Sequence, residues 1–262
     1  MTEPGLSSDL VRPEPLPEGF SLRHWETIGS TNDEAARLAA EGAPAGTIVM
    51  ADRQTAGRGR LGRVWQSDSG NLHASFILRP ACLLQAASQL SLLAGVALAE
   101  TLVAHGPDGL DLKLKWPNDI LIGGAKVAGI LLESAADRSG RLEHVIVGVG
   151  VNLVWAPGSS AYPVTSLQAE GFAPRSPHGW IAAYAGALGI WLDRWQRDGF
   201  ADARQAWRAR SYGLGGPIRL RLNREEVDGR FVDLTEGGAL LIERENGQRS
   251  ELTVGDVVFA DH

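Results

Sequence analysis

The stretch LKLKWPNDILIGGAKVAGILL, from Leu112 to Leu132, decides the fold class. Leu112, Leu114 and Trp116 alternate with Lys113 and Lys115, the period of a strand buried on one face. Pro117-Asn118 breaks that strand. Ile120-Leu121-Ile122, then Gly123-Gly124, then Val127 to Leu132 spell a hairpin, because two glycines admit the positive φ angles of a two-residue turn. Working outward, Thr47 to Ala51, Leu72 to Leu78 and Val145 to Val151 read as further buried strands. Thr31 and Glu34 have capping-box spacing and open a helix that Gly42 stops. Leu83 to His105 is a long apolar helix expected to lie across a sheet. Gly179 to Arg210 reads as one more helix, with Trp180, Tyr184, Trp191, Trp195 and Trp207 on its apolar face. After Gly213-Leu214-Gly215-Gly216-Pro217 the texture changes. Ile218 to Leu222, Val227 to Leu234, Ala239 to Ile242 and Ser250 to Phe259 are short strands between turns. The expectation is an α+β fold: a mixed sheet with packed helices over residues 20–213, and a small C-terminal β-barrel over 214–262. Residues 1–19, with Pro4, Pro13, Pro15 and Pro17, read as a flexible lead-in.

Composition narrows the function classes. At 262 residues and 44% hydrophobic, the chain can bury a core of several layers and is too apolar to be disordered. A net charge of −6 supplies no global field for nucleic acid or anionic lipid. The longest apolar stretch, Leu90 to Ala104, falls short of the ~20 residues of a membrane helix and contains Glu100. A single cysteine, Cys82, excludes an intrachain disulfide framework. The acidic, proline-rich N-terminus carries no signal-peptide pattern. A cytoplasmic protein with neither nucleic acid nor membrane as partner is expected.

Three clusters can carry chemistry. Gln54-Thr55-Ala56-Gly57-Arg58-Gly59-Arg60-Leu61-Gly62-Arg63-Val64-Trp65 combines glycines, which allow close backbone approach to a ligand, with guanidinium forks suited to carboxylate or phosphate oxygens. Its Gly57-x-Gly59-x-x-Gly62 spacing matches the dinucleotide pattern only superficially, since no helix opens there and arginine crowds it. A solvated basic loop or a nucleic-acid patch is the plainer reading, but an acidic chain with one arginine loop favours a small anionic ligand. Lys115-Trp116-Pro117-Asn118-Asp119, followed by Gly123-Gly124-Ala125-Lys126, sits where a strand breaks. Asp119 there suits either magnesium held through water or an Asx-capped turn. Gly148-Val149-Gly150-Val151-Asn152 places glycines inside an apolar strand, which lets a ring press on the backbone or relieves crowding.

Together these residues resemble the biotin protein ligases. The markers are Ser30-Thr31-Asn32, the Gly57-to-Trp65 loop, Lys115-to-Asp119, Lys126-Val127-Ala128-Gly129-Ile130-Leu131 and Gly148-to-Asn152, in the family's order and approximate spacing. The resemblance implies a class II synthetase-like catalytic domain with an SH3-like C-terminal barrel. It implies two steps: biotin and magnesium-ATP give biotinyl-5'-AMP and pyrophosphate, then a lysine of the biotin carboxyl carrier protein of acetyl-CoA carboxylase or a related carboxylase is biotinylated. Carried over residue by residue, it implies biotin contacts at Ser30, Thr31, Asn32, Gln54, Gly57, Arg58, Gly59, Arg60, Lys126 and Gly129. ATP or adenylate contacts are implied at Arg58, Arg60, Arg63, Trp65, Asn118, Asp119, Lys126, Gly150 and Asn152. Lys126 and Arg58 are the implied catalytic groups, with Arg58 on the carboxylate and Arg60 near phosphate, and Asp119 is the metal candidate for Mg2+. Only 29 residues precede Ser30, fewer than a winged-helix DNA-binding domain needs, so a ligase without repressor activity is expected, as monomer or homodimer. The alternative is a lipoate or octanoate ligase of the same fold, whose Gly-Gly-Gly run and His-Asp pair this chain lacks.

Overall fold

The sheet begins with a strand that the sequence pattern hides. In β1 (Ser21–Ile28) the half-buried residues Leu22, Trp25 and Ile28 are three apart, so no alternation is evident. In the computed structural model, which describes residues 14–158, 162–222, 225–253 and 255–258, β1 pairs in parallel with β2 (Thr47–Gln54). Every other pairing is antiparallel, through β3 (Leu72–Leu78), β4 (Leu112–Lys115), β5 (Asp119–Ile122), β6 (Ala125–Ala136) and β7 (Leu142–Val151). The order across this seven-stranded sheet is β1-β2-β3-β7-β6-β5-β4. Gly123 and Gly124 make the β5–β6 turn with φ of 55° and 80°, as the two-glycine turn requires.

The two faces of the sheet are covered unequally. On one lies the main core, where α2 (Ala87–His105), α3 (Pro177–Asp198) and α4 (Ala201–Ala209) bury residues such as Leu93, Tyr184 and Trp207 against Phe76, Val147 and Ile130. On the other, α1 (Thr31–Ala40) closes a smaller cluster of Ala35, Leu38, Val49, Ile77 and Ile146. Ser30 caps α1 by accepting from Asp33 N at 3.4 Å, and α1 packs on β2, β3 and β7. Beside it, the same face of the sheet opens as a cleft.

Four expectations need correction. With its leading 3-10 turn, the long apolar helix runs 22 residues, Leu84–His105, and by length and composition is enough to cross a membrane. Most of it is nonetheless buried inside the protein, because α3 and the sheet flank it, so it is a core helix. The helix read from Gly179 to Arg210 is two helices, since Gly199 takes φ 81° and ends α3. The strand read from Ser250 to Phe259 is also two, β11 (Arg249–Leu252) and β12 (Asp256–Val258), parted at Gly255 with φ 145°; Phe259 lies outside the described residues. Residues 14–19, assigned to a flexible lead-in, lie on the body: Glu14 ion-pairs with Arg175, and Leu16 packs on the core. The rest of the lead-in, residues 1–13, falls outside the described residues.

The C-terminal SH3-like module adds β8 (Pro217–Leu222), β9 (Glu225–Leu234) and β10 (Leu240–Glu243), in the antiparallel order β11-β10-β9-β8-β12. It docks on α4 through the Trp207 and Phe231 rings, 6.3 Å apart, and through Arg204, which donates to Leu234 O at 2.7 Å and ion-pairs with Asp233 at 2.8 Å.

His73 on β3 is 2% exposed, and its Nε2–H donates to Asp68 O at 3.3 Å, while Nδ1 has no partner among the described residues. Burial holds its pKa below the usual 6.5, so the folded protein keeps it neutral while the unfolded chain takes up a proton. Its contribution to stability is therefore complete above pH 6.5 and declines as pH falls below that value toward the lowered folded pKa. We expect His73→Gln to flatten the fall of Tm between about pH 7 and 5, with the half-buried His144 left to titrate in both proteins. Identical slopes for variant and wild type would refute this.

Candidate active site

The cleft encloses about 860 Å³ between the N-terminus of α1, the glycine–arginine loop and the strands β5, β6 and β7. Its floor is the backbone of β7. A Cβ on Gly148 would fall within the carboxamide of Asn32, and a Cβ on Gly150 would lie 2.5 Å from the Trp65 indole. Both glycines are therefore needed, because two side chains press onto the strand at these points. Across the sheet Gly150 pairs with His73 and Gly129, and Gly148 with Ser75 and Leu131.

One end of the cleft is lined by linked polar groups. Gln54 Oε1 accepts from Thr31 N at 2.8 Å and from Thr31 Oγ1 at 3.1 Å, while its Nε2 donates to Ser67 Oγ at 2.8 Å. Ser75 Oγ lies 2.8 Å from Thr31 Oγ1 and 2.6 Å from Asn32 Oδ1, and Asn32 Nδ2 donates to Glu133 at 2.7 Å. The group donors and acceptors of Ser30, Thr31, Asn32 and Gln54 thus meet at one place, fixed by buried neighbours, as a slot that reads a polar ring requires.

The loop has its own ladder. Trp65 N donates to Gly57 O at 3.0 Å and Gly59 N to Arg63 O at 2.7 Å, with a tight turn at Arg60–Gly62 in which Leu61 takes φ 56°. Arg58 bonds Asp33 and Glu133, and first Asp33, then Glu133, raise the pKa of its guanidinium still further. Arg60 donates to Gly255 O at 3.2 Å from both Nη atoms and so joins the loop to the C-terminal module.

At the opposite side Lys126 Nζ sits 2.6 Å from Asp119 Oδ1 and 5.4 Å from the centroid of the Trp65 ring. The backbone of Lys126 is clamped as well, by Pro163 O at 2.8 Å and Thr165 N at 2.9 Å. The Trp65 Nε1–H is buried with no partner within the described residues, an expensive state that a ligand acceptor would relieve. Asn118 Nδ2 donates to Ile130 O at 2.6 Å and Asn152 Nδ2 to Thr165 O at 3.0 Å. Both therefore brace the rim while lining the cleft.

Residues 25–152 match the Biotin/lipoate A/B protein ligase family, a description that leaves two acids open. Residues 213–260 match the Biotin protein ligase C terminal domain. The chain is 40% identical over 236 residues to a biotin--[acetyl-CoA-carboxylase] ligase of Paracoccus denitrificans, covering 88% of this chain and 97% of that one. The chain belongs to the biotin protein ligases. A second ligase, from Mycobacterium tuberculosis, is 32% identical and covers 97% of this chain and 96% of its own length. Among solved structures, the biotin protein ligase of Aquifex aeolicus in complex with biotin and ATP superimposes with a TM-score of 0.75 at 30% identity, covering 90% of this chain and 97% of that one. These relatives favour the biotin ligase over the lipoate alternative.

The ligase fold gathers the residues marked in the sequence. Ser30, Thr31, Asn32, Gln54, Arg58, Gly59, Arg60, Arg63, Trp65, Asn118, Asp119, Lys126, Gly129, Gly150 and Asn152 all line one cleft. Gly57 does not. It lies beneath the loop, where a Cβ would be 2.7 Å from Trp65 O. Asp119, the metal candidate, is committed to Lys126, and the described residues hold no group of three or more His, Cys, Asp or Glu fit for a metal ion. Ser67, Ser75, Asp33 and Glu133 were missed by the sequence reading. Serines and carboxylates are common; the registers of β3 and β6 with β7 bring Ser75 and Glu133 to the slot, the first turn of α1 brings Asp33, and a backbone bond from Gln54 N to Ser67 O brings Ser67.

The two floor glycines generate a stability test. Asn32 is buried and held by Ser75 and Glu133, whereas Trp65 is only half-buried and stands on the loop, outside any helix or strand. Gly148→Ala should cost about 1–3 kcal/mol in urea unfolding, and Gly150→Ala clearly less. The reverse order would show that the indole, not the amide, is the rigid group.

Proposed function

We propose that this ligase activates biotin with magnesium-ATP to biotinyl-5'-AMP and then transfers biotin to a lysine of the biotin carboxyl carrier protein of acetyl-CoA carboxylase. The observation that carries the reading is the placement of Lys126, Trp65 and the arginine loop around one cleft that ends in the Thr31–Gln54–Ser75 slot. In that arrangement the ureido ring of biotin enters the polar end, and its carboxylate points back toward Lys126. ATP lies with adenine near Trp65, whose Nε1–H supplies an unused donor. Magnesium arrives with ATP as part of the substrate, and Asp119 is the carboxylate this chain offers beside the phosphates.

The first step brings two anions together. A biotin carboxylate oxygen forms a bond to the α-phosphorus as the bond to pyrophosphate breaks, and negative charge grows on the α-phosphate oxygens. An ammonium aimed there binds the transition state better than the ground state. Asp119 and the Trp65 face fix the direction of that ammonium before the ligand arrives. In the second step the neutral amine of the carrier lysine attacks the mixed-anhydride carbonyl, the amide forms, AMP leaves and the amine proton is released. Until then the anhydride must be kept from water, a task for the loop that covers the cleft.

Mass spectrometry of a carrier domain incubated with the protein, biotin and magnesium-ATP should show one biotinyl addition, and an unchanged mass overturns the reading. Lys126→Gln removes a donor of the kind typically worth ~3 kcal/mol, so pyrophosphate release should slow on the order of 10²-fold while biotin affinity changes far less. Adenylate formation within a few-fold of wild type would demote Lys126 to a hairpin residue.

A further inference from the structure

Arg58 lines the cleft, a position that invites the role of receptor for the ligand's carboxylate. Its bonds argue for another. Nη1 donates to Asp33 at 2.8 Å and lies 3.3 Å from Ser30 Oγ. Nη2 donates to Asp33 at 2.7 Å and to Glu133 at 2.9 and 3.0 Å. Both amino groups of the fork are thus engaged. One guanidinium against two carboxylates also leaves the cluster with a net negative formal charge, which repels an incoming carboxylate. The cluster ties three separate pieces of chain, since Asp33 stands in the first turn of α1, Glu133 on β6 and Arg58 at the root of the loop. Glu133 further accepts from Asn32 Nδ2 at 2.7 Å, so one carboxylate sets both the loop root and a residue of the slot.

We propose that Asp33 and Glu133 are positioning residues that latch Arg58, so that the loop stays seated over the slot and retains the adenylate, and that Arg58 acts through this latch rather than by binding the ligand's carboxylate. The proposal rests on the ligase reading above for what is retained, but the latch itself is a property of the unliganded chain. Each ion pair is partly exposed and weak alone. Doubled contacts on one planar fork give the latch its strength.

The test uses the full chain with Arg58→Gln, Glu133→Gln and the double variant. Glu133→Gln retains an acceptor for Asn32 while removing the charge that Arg58 needs. In unliganded protein, tryptic cleavage after Arg60 and Arg63 should quicken roughly tenfold in either single variant, with little further gain in the double. Dissociation of biotinyl-adenylate should quicken by about the same factor in both single variants, and biotin KM should shift alike in both. The proposal is overturned if Arg58→Gln raises biotin KM about tenfold while Glu133→Gln cleaves and retains as wild type does, since Arg58 then holds the ligand itself. It is equally overturned if the effects of the two single variants add in the double. Should wild type form no biotinyl-adenylate, the ligase reading fails, and the tryptic arm still decides the latch.

Discussion

The site depends on a patch of sheet that carries no side chains. Gly148 and Gly150 expose the backbone of β7 on the cleft face, and Gly129 stands opposite Gly150 on β6. Glycine inside a strand costs roughly 0.5–1 kcal/mol apiece in conformational entropy, and it contributes no packing. The cost is offset on the reverse face, where Val147, Val149, Val151 and Ile130 are buried against the helices. Alternation along the strand does the rest: residues that face the helices are large, and their neighbours that face the cleft are absent as side chains. Asn32, Trp65 and Lys126 can then lie close over the strands, which fixes the depth of the slot and the distance between its polar end and the lysine.

The loop above this floor rests on two supports. Its root is held by Asp33 and Glu133 through Arg58, and its crown reaches the C-terminal module through Arg60 and the Gly255 carbonyl. A module of this size buries only a modest apolar core of its own. It leans on the catalytic domain at Trp207 and Trp116, where Trp116 Nε1 donates to Gly238 O at 3.4 Å, and at Asp233, shared by Arg204 and Arg208 at 2.8 and 2.7 Å. The position of Gly255 is thereby coupled to α4, and the module becomes a wall of the loop's resting place rather than an appendage.

What was legible beforehand was what local chemistry dictates. The Gly123-Gly124 turn and the bare glycines of β7 each follow from two or three neighbouring residues and lie where the pattern placed them, whereas the cap of α1 is Ser30, bonded to Asp33 N, rather than Thr31 of the Thr31–Glu34 box. β1 was not legible, because an exposed edge strand paired only to β2 buries residues at threefold spacing. The break at Gly199 was outweighed by tryptophans recurring on both sides of it. Glu133 was hidden for a different reason. It lies 75 residues from Arg58 and 101 from Asn32, on a strand whose register alone decides which face it takes. Long-range charge pairing of that kind has no sequence pattern.

The same separation of local and distant determinants explains how Lys126 is made specific. Three lysines, Lys113, Lys115 and Lys126, lie within this part of the chain, and a free lysine tail carries up to about 2 kcal/mol of rotamer entropy that aiming it must overcome. The glycine turn brings Lys126 to the cleft, and Pro163 and Thr165 fix its backbone. Asp119 then takes its ammonium at 2.6 Å beneath the Trp65 ring, while Lys113 pairs with Asp111 at 3.7 Å and Lys115 lies over Tyr162 at 4.9 Å. Most of the ordering cost is thus met in the folded protein, before a ligand enters. Placement of the anionic partner on the neighbouring strand is what singles Lys126 out.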